Sequence, residues 1–219
     1  MIRSFIFDLD GVIVFTDRYH YLGWKKLADE EGWKFDETLN HQLRGVSRMQ
    51  SLEIILDHNG LEFTSQQKDD FAARKNRYYQ TLLDGIGSDD LYPGAVEFVE
   101  QVRLRGLRTA LGSSSRNADR VLKALEIDVL FDAVVTGHDL TRTKPDPQIF
   151  QLCAQRLGDA PPDECVVFED AESGIEAALA AGMHAVGVGD AAQLPNAEQV
   201  ISEYTEIDLD TLIKSGRIR

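Results

Sequence analysis

Short, valine-rich apolar segments alternate with helical segments through most of this 219-residue chain. A short apolar run of this kind suits a strand that is buried on both faces of a sheet. Strands that alternate with helices form a parallel sheet covered by helices on both sides. We therefore predict the α/β class with a Rossmann-like parallel sheet. The predicted strands are 2–7, 109–112, 133–136, 166–169 and 185–188, and the helices of this part are about 95–105, 119–125, 148–157 and 175–181.

The segment between the first two predicted strands has a different pattern. Its apolar residues recur at helical spacing, as in Tyr21, Trp24 and Leu27, and no convincing strand interrupts them. Asn59-Gly60 is a typical helix stop within it. We predict a helical cap domain, residues 15–90, inserted into an α/β core formed by residues 1–14 and 91–219. Because the insert follows the first strand, it lies beside the carboxyl ends of the strands and suits a lid.

Charge and composition exclude several classes of function. The chain has 23 basic and 37 acidic residues, a net charge of −14, which argues against a nucleic-acid-binding surface. No apolar run approaches the ~20 residues that span a membrane, and Asp8 and Asp10 interrupt the first apolar run, so we expect no signal peptide. Cys153 and Cys165 fit neither a disulfide framework nor zinc spacing. We predict a monomeric cytoplasmic protein without nucleic-acid or membrane partners.

Polar residues stand at or just past the ends of four predicted strands. In a parallel sheet these ends share one edge, where ligands bind. Carboxylates that meet there repel one another, and a hard divalent cation with oxygen ligands relieves the repulsion; Mg²⁺ suits a site that also holds phosphate. Any one of these residues alone would equally suit turn chemistry, but their joint presence favours a site. They are Asp8, Asp10, Ser113, Ser114, Ser115, Lys144, Glu169 and Asp170.

The residue types at this edge suit phosphoryl transfer. The carboxylate of Asp8 can attack phosphorus and form an aspartyl phosphate. Asp10 lies two residues further and can act as general acid and base if Gly11 lets the chain turn. Lys144 can offset the charge of the transferring group, and Ser113 can donate a hydrogen bond to it. Taken singly, Lys144 would more often be a solvated loop lysine and Ser113 a turn serine.

Four motifs resemble the signature of the haloacid-dehalogenase-like superfamily, in the right order along the chain. They are Asp8-Leu9-Asp10-Gly11-Val12, a strand that ends at Ser113, Lys144-Pro145-Asp146-Pro147 and Glu169-Asp170. The second aspartate, Asp10, favours the phosphotransferase branch over the dehalogenases, which lack this acid. The resemblance implies the fold of that superfamily for the core, with the helical segment as its cap.

The cap segment and the residues after Ser113 resemble the β-phosphoglucomutases within that superfamily. The most discriminating part is Gly45-Val46-Ser47-Arg48, since many phosphatases share the core motifs. This resemblance implies a phosphomutase that interconverts β-glucose 1-phosphate and glucose 6-phosphate through a bisphosphate. The further matching stretches are Thr16, Tyr19-His20, Trp24-Lys25, Leu43-Arg44, Ser51-Leu52, Arg74-Lys75-Asn76 and Ser113-Ser114-Ser115-Arg116-Asn117.

The same resemblance implies a role for each matching position. Asp8 would be phosphorylated, with Asp10 as the acid and base, and Ser113 and Lys144 would hold the transferring phosphoryl group. Mg²⁺ would be bound by Asp8, the Asp10 carbonyl, Glu169 and Asp170. The distal phosphate would be gripped by Arg48, Ser115, Arg116 and Asn117, and Asp10 would be placed on lid closure by Thr16, His20 and Lys75. The remaining predicted substrate-binding residues are Trp24, Gly45, Val46, Ser47, Ser51 and Ser114.

One departure from the family pattern and two alternative functions stay open at this point. Relatives usually carry Thr-Asp where this chain has Val14-Phe15, so one linker acid is missing. A sugar-phosphate phosphatase of the same superfamily would share Asp8, Asp10, Lys144 and the metal site without needing Arg48. A non-catalytic binding protein with the same fold is the second alternative, and the intact acid pair argues against it.

Overall fold

The fold was taken from a computed structural model, which describes residues 1–215 of the chain. The strands are β1 (Ser4–Phe7), β2 (Arg108–Gly112), β3 (Ala133–Val135), β4 (Cys165–Glu169), β5 (His184–Val188) and β6 (Gln199–Ile201). The helices are α1 (Asp17–Glu31), α2 (Glu37–His41), α3 (Arg48–Asn59), α4 (Ser65–Leu82), α5 (Ala95–Leu104), α6 (Ala118–Ala124), α7 (Gln148–Arg156), α8 (Glu172–Ala180) and α9 (Leu209–Ser215).

The strands form one parallel sheet in the order β3-β2-β1-β4-β5-β6. The chain leaves β1 in one direction to build β2 and β3, then returns to the other side of β1 to build β4, β5 and β6. The strand order therefore reverses at β1, and such a switch point opens a crevice at the carboxyl ends of the strands. The predicted α/β class and parallel sheet are confirmed. β6 and α9 were not predicted, and a three-residue strand has too little periodicity to recognise.

Apolar side chains on the two faces of β1 enter two separate cores. Phe5 and Phe7 pack with Phe98 of α5 and Phe168 of β4, and the rings of Phe7 and Phe168 stack with centroids 4.9 Å apart. Ile6 points to the other face, into a cluster built by α7 and α8. Successive strand residues alternate between faces, so burial of both faces requires an uninterrupted apolar strand. This rigid central strand ends directly at Asp8.

The helical segment between β1 and α5 has an apolar cluster of its own. Trp24, Leu27, Leu52 and Ile55 pack within this cluster, which is separate from the two cores of the sheet. The predicted stop at Gly60 is present, where a left-handed φ of 65° ends α3. This cluster supports the predicted division into a core and a cap of residues 15–90, which stays a prediction.

The two passages between sheet and helical segment run side by side. Val14 bridges Leu91, and the backbone N–H of Phe15 donates to the carbonyl of Asp90 at 2.7 Å. The side chain of Asp90 is buried and accepts a hydrogen bond from the hydroxyl of Tyr19 at 2.9 Å. These contacts fix the start of α1 beside the carboxyl end of β1. Within residues 1–215, no helix is both long enough and apolar enough to cross a membrane.

Candidate active site

Three buried charged groups meet where β1 and β4 end. The ammonium of Lys144 donates to Asp8 Oδ1 at 2.5 Å and to a carboxylate oxygen of Glu169. The second oxygen of Asp8 accepts the backbone N–H of Asp10 at 2.9 Å, and the second oxygen of Glu169 accepts the N–H of Ala171 at 2.9 Å. Asp8, Lys144 and Glu169 are each no more than 6% exposed. Asp8, Lys144 and Glu169, three of the residues predicted at this edge, thus lie in direct contact.

Negative charge exceeds positive charge in this cluster. Burial opposes the charge of Lys144, but the carboxylates of Asp8 and Glu169 outweigh it and raise the pKa of this lysine, so it stays protonated. Burial raises the pKa of Glu169, and Asp8 adds to the effect. Burial, together with the charges of Glu169 and Asp8, raises the pKa of Asp170 well above its usual value. One ammonium thus faces several crowded carboxyl groups, and oxygen donors with excess negative charge suit a hard cation.

Asp10 lies two residues beyond Asp8 and is held by residues that follow it in the chain. The hydroxyl of Thr16 donates to Asp10 Oδ1, and His20 Nε2 lies 3.9 Å from the same oxygen. Burial raises the pKa of Asp10 to about 7, and the charge of Asp8 contributes in the same direction. A carboxyl group with a pKa near neutrality can both donate and accept a proton, which is what a general acid and base requires.

His20 and Lys75 form a second buried pair behind Asp10. Lys75 Nζ lies 3.0 Å from His20 Nδ1, and the ring of Tyr79 packs on the imidazole with centroids 4.2 Å apart. Burial and the charge of Lys75 lower the pKa of His20 well below its usual value. Burial, with the charge of Arg48, also lowers the pKa of Lys75. The imidazole is therefore neutral. When Lys75 is charged, its ammonium donates the hydrogen bond to His20 Nδ1.

The far side of the cleft is basic. Arg48, at the first turn of α3, and Arg116, after β2, both line the cavity. Burial and the neighbouring charge of Arg116 lower the pKa of Arg48. Within residues 1–215 neither guanidinium has a carboxylate in ion-pair contact, although the chain is acidic overall. Arg116 Nε also donates to the carbonyl of Gly137 at 3.4 Å, and two guanidinium groups without a carboxylate partner form a suitable site for a phosphate.

The acidic and basic ends share one cavity of about 570 Å³ between the sheet and the helical segment. The size suits a small ligand with an anionic group at each end. The predicted site residues that line it are Asp8, Asp10, His20, Trp24, Gly45, Val46, Ser47, Arg48, Ser51, Lys75, Ser114, Ser115, Arg116, Lys144, Glu169 and Asp170.

Three predicted site residues do not line the cavity. Thr16 instead contacts a cavity residue, because its hydroxyl donates to the carboxylate of Asp10. Ser113 is fully buried, and its oxygen accepts the backbone N–H of Ser115 at 3.1 Å. The carboxamide of Asn117 is occupied by α4, since it accepts from Gln80 at 3.0 Å and donates to Asn76 at 2.9 Å. Asn117 therefore ties the core to the helical segment in this structure.

Ser114 differs from Ser113 in its hydrogen bonding. Its hydroxyl oxygen is buried and has no partner among the residues that the structure describes, and the residue lines the cavity. A buried hydroxyl without a partner is costly unless a ligand or water satisfies it. Ser114 thus has a buried hydroxyl without a partner among the described residues, whereas the Ser113 oxygen accepts an N–H and its own O–H can still donate.

Asp17 and Arg44, to which the sequence assigned no role, form an ion pair at the cavity wall. Arg44 Nη2 pairs with Asp17 Oδ2 at 2.7 Å, and both residues line the cavity. Each lies next to a residue that was predicted, Asp17 after Thr16 and Arg44 before Gly45. Their adjacency to these motifs was a usable signal, but charged residues at the first turn of a helix and in a loop are common on protein surfaces.

The lid loop, residues 43–48, lies directly against the core. Gly45 adopts a φ of 71°, and a Cβ on it would lie 2.5 Å from Ser173 Oγ and 2.7 Å from the Cβ of Ala171. Nearby, the hydroxyl of Thr143 donates to Gln50 Oε1 at 3.1 Å, which joins the core to α3. Glycine is thus required at position 45 for two reasons, its backbone conformation and the close approach of the core. The lid loop and α3 thus contact the core in this structure.

We expect Gly45→Ala to impair closure of the lid. The added methyl group overlaps the core and favours a different φ, so the closed arrangement loses stability relative to an open one. Turnover of the substrate should fall by about 5- to 150-fold, as expected for a penalty of about 1–3 kcal/mol at a strained position. Steady-state kinetics of the variant test this. Gly32→Ala serves as a control, because Gly32 also has a positive φ of 72° but meets nothing within 4 Å; an equal loss in both variants would contradict the role of the close contact.

Among residues 1–215, no three His, Cys, Asp or Glu side chains form a group that could hold a metal ion. The carboxylates of Asp8 and Glu169 are instead bridged by Lys144. A cation at this point would therefore need backbone oxygens besides carboxylates.

Comparisons with known proteins agree with this geometry. A sequence model of the haloacid dehalogenase-like hydrolases matches residues 2–182. The β-phosphoglucomutase of Bacillus subtilis is 41% identical over 212 residues, which cover 96% of this chain and 93% of that protein. A crystal structure of β-phosphoglucomutase from Clostridium difficile has a TM-score of 0.91 and 38% identity, and covers 98% of this chain and 96% of that one. A phosphorylated carbohydrates phosphatase of Thermotoga maritima is 30% identical and covers 84% of this chain and 83% of that protein.

Proposed function

The chain belongs to the haloacid dehalogenase-like hydrolase family, and within it we propose that the protein is a phosphomutase that interconverts β-D-glucose 1-phosphate and D-glucose 6-phosphate through glucose 1,6-bisphosphate. The observation that carries this proposal is the presence of two anion sites in one cavity. Asp8 and Lys144 form the end for phosphoryl transfer, and Arg48 and Arg116 form the distal end. A mutase must hold a phosphate at each end of one sugar, whereas a phosphatase needs one such site. The similarity to the β-phosphoglucomutases over nearly the full length supports the same conclusion.

The donor set at the transfer end fits Mg²⁺. Its oxygen donors are the crowded carboxylates, whose pKa values are raised by burial and by the charges of their neighbours, and a methyl group on Gly11 would overlap the carboxylate of Asp170. Asp8, Asp170 and the backbone carbonyl of Asp10 would hold the ion, with Glu169 retained by Lys144 and Ala171. When bound, Mg²⁺ would offset charge on the phosphoryl oxygens and on the carboxylates.

Asp8, Asp10 and Lys144 have different roles in the reaction. Asp8 Oδ attacks phosphorus, the bond from phosphorus to the departing oxygen breaks, and Asp10 gives its proton to that oxygen. In the return step, Asp10 takes the proton from the attacking sugar hydroxyl, and the phosphoryl group leaves Asp8. Lys144 compensates the charge at Asp8 throughout. Contact of the lid loop with the core limits the access of water to the aspartyl phosphate, which would otherwise be hydrolysed.

The proposal is tested by turnover of β-glucose 1-phosphate with Mg²⁺ and a trace of glucose 1,6-bisphosphate. We expect glucose 6-phosphate to form with little release of inorganic phosphate, and the α-anomer serves as the control substrate. Release of phosphate without glucose 6-phosphate would identify the protein as a sugar-phosphate phosphatase instead. The predicted monomeric state, the cytoplasmic location and the absence of nucleic-acid and membrane partners stay predictions.

We expect Arg48→Ala to weaken binding of sugar phosphates far more than reaction with a small acyl phosphate. The acyl phosphate reaches Asp8 alone, whereas the sugar phosphate also needs the distal site, where Arg48 lacks an acidic partner within the described residues. Loss of one charged hydrogen-bonding group costs roughly 2–3 kcal/mol, so KM for the sugar phosphate should rise by roughly 30–150-fold. Steady-state kinetics with both phosphoryl donors provide the measurement. Equal effects on the two donors would remove Arg48 from the distal site.

A further inference from the structure

The ion pair between Asp17 and Arg44 has no place in the chemistry described so far. Arg44 Nη2 lies 2.7 Å from Asp17 Oδ2, both side chains are about one third exposed, and both residues line the cavity. Arg44 Nε is buried without a hydrogen-bond partner within residues 1–215, whereas Nη2 of the same guanidinium pairs with Asp17. The pair lies at the cavity wall and not on an outer surface of the helical segment.

The two residues belong to different parts of the closed site. Asp17 begins α1 and follows Thr16, whose hydroxyl holds Asp10. Arg44 belongs to the lid loop, directly before Gly45, which packs on the core. The same loop leads into Arg48 at the first turn of α3. The pair therefore joins the start of α1, next to the residue that holds Asp10, to the lid loop, which leads to Arg48.

We propose that the Asp17–Arg44 ion pair is a positioning element that couples docking of the lid loop on the core to the placement of Asp10. When the loop lies against the core, Arg44 holds the first turn of α1, and Thr16 in turn holds the carboxyl group of Asp10. Without the pair the loop still grips substrate, but Asp10 is placed less often for proton transfer. This inference rests on the proposed mutase function, because it concerns the same acid and base.

Two single substitutions separate this coupling from a purely electrostatic effect. Asp17→Asn removes a negative charge near Asp10, and Arg44→Gln removes a positive one. If the pair acted only through its field, the two variants would change kcat in opposite directions. A coupling contact predicts the same direction for both, a fall in kcat of about fivefold with a smaller change in KM, and the double variant should resemble each single one. Arg44→Lys keeps the charge and should restore most of kcat.

A matched control is the ion pair between Lys68 and Glu53, which joins α4 to α3 at 2.6 Å and does not line the cavity. Glu53→Gln removes a partly exposed ion pair of the same helical segment. Its kcat therefore shows how much the loss of one such ion pair affects turnover through stability alone. The ratio of inorganic phosphate to glucose 6-phosphate is measured alongside kcat and the melting temperature. We expect this ratio to rise in the Asp17→Asn and Arg44→Gln variants and to stay at the wild-type value in Glu53→Gln.

The outcomes distinguish this inference from the proposed function. If wild-type protein forms no glucose 6-phosphate, the mutase proposal itself fails. If wild type is a mutase and the Asp17 and Arg44 variants match Glu53→Gln in kcat and in the product ratio, only the coupling is wrong. Opposite changes in kcat for Asp17→Asn and Arg44→Gln would also overturn it. A fall in both, rescue by Arg44→Lys and a double variant no worse than either single one would support it.

Discussion

Asp8→Asn should abolish phosphoryl transfer, with a loss in kcat on the order of 10⁶-fold, as for removal of other covalent nucleophiles. Asp8 stands at the end of the buried central strand, with Lys144 on one carboxylate oxygen and the N–H of Asp10 on the other. Asparagine has the same shape, but its amide cannot attack phosphorus to form an acyl phosphate. The loss should therefore be chemical, with the surrounding strands intact.

The measurement is transfer of labelled phosphoryl from glucose 1,6-bisphosphate to the protein, together with turnover of β-glucose 1-phosphate. Wild type should become labelled and the variant should not. Asp29→Asn is the control, because Asp29 is an exposed acid on α1, paired with Lys25 at the surface. The substitution also leaves Lys144 with one buried carboxylate partner in place of two, so a lowered melting temperature is expected. Activity close to that of wild type would contradict the role of Asp8 and favour a non-catalytic binding protein.

Asp10→Asn should lower turnover of sugar phosphates by about 10²–10⁴-fold, the usual contribution of general acid and base catalysis. The substitution keeps the backbone carbonyl that would hold Mg²⁺ and removes the group that moves the proton. An acyl phosphate has a leaving group that needs no proton, so labelling of Asp8 by such a donor should persist. A fall of less than tenfold with the sugar phosphate, or an equal loss with both donors, would show that the assigned role is wrong.

The pH dependence of wild-type turnover follows from the burial of Asp10, which raises its pKa to about 7. The step in which Asp10 donates a proton needs the protonated form and slows as the pH rises above 7. The step in which it accepts a proton needs the carboxylate and slows as the pH falls below 7. Wild-type kcat should therefore pass through a maximum near neutrality. The Asp10→Asn variant should lack these two limbs, which a kcat profile from pH 5.5 to 8.5 would measure.

Much of the acidic end of the site was predictable because it depends on local order along the chain. A buried strand followed by Asp8 and Asp10, and another followed by Glu169 and Asp170, determines which residues stand at the sheet edge once the strands are parallel. Lys144 was predicted from the position of its motif past the third strand, and its ammonium indeed lies between Asp8 and Glu169. The predicted roles of these residues in the reaction await the experiments above.

The contacts between core and cap were less predictable, because they join residues that are distant in the sequence. Asn117 was predicted at the distal phosphate, but its carboxamide bonds Asn76 and Gln80 of α4. Ser113 was predicted to hold the phosphoryl group, which stays a prediction; its oxygen accepts a backbone N–H in the structure, and its own O–H can still donate. Asparagine and serine can hydrogen-bond either a phosphate or a protein group. The packing of the folded chain decides which of these lies within hydrogen-bond distance.

The amino-acid sequence by itself determined the parallel sheet, the helical insertion and the set of acidic residues at the strand ends, since periodicity and strand termini are local properties. Only the tertiary structure decided how the lid loop meets the core. The approach of Gly45 to Ser173 and the pairing of Asp17 with Arg44 depend on the distances between packed elements. Those distances follow from the shapes of all the intervening side chains, which no pattern in a single segment records.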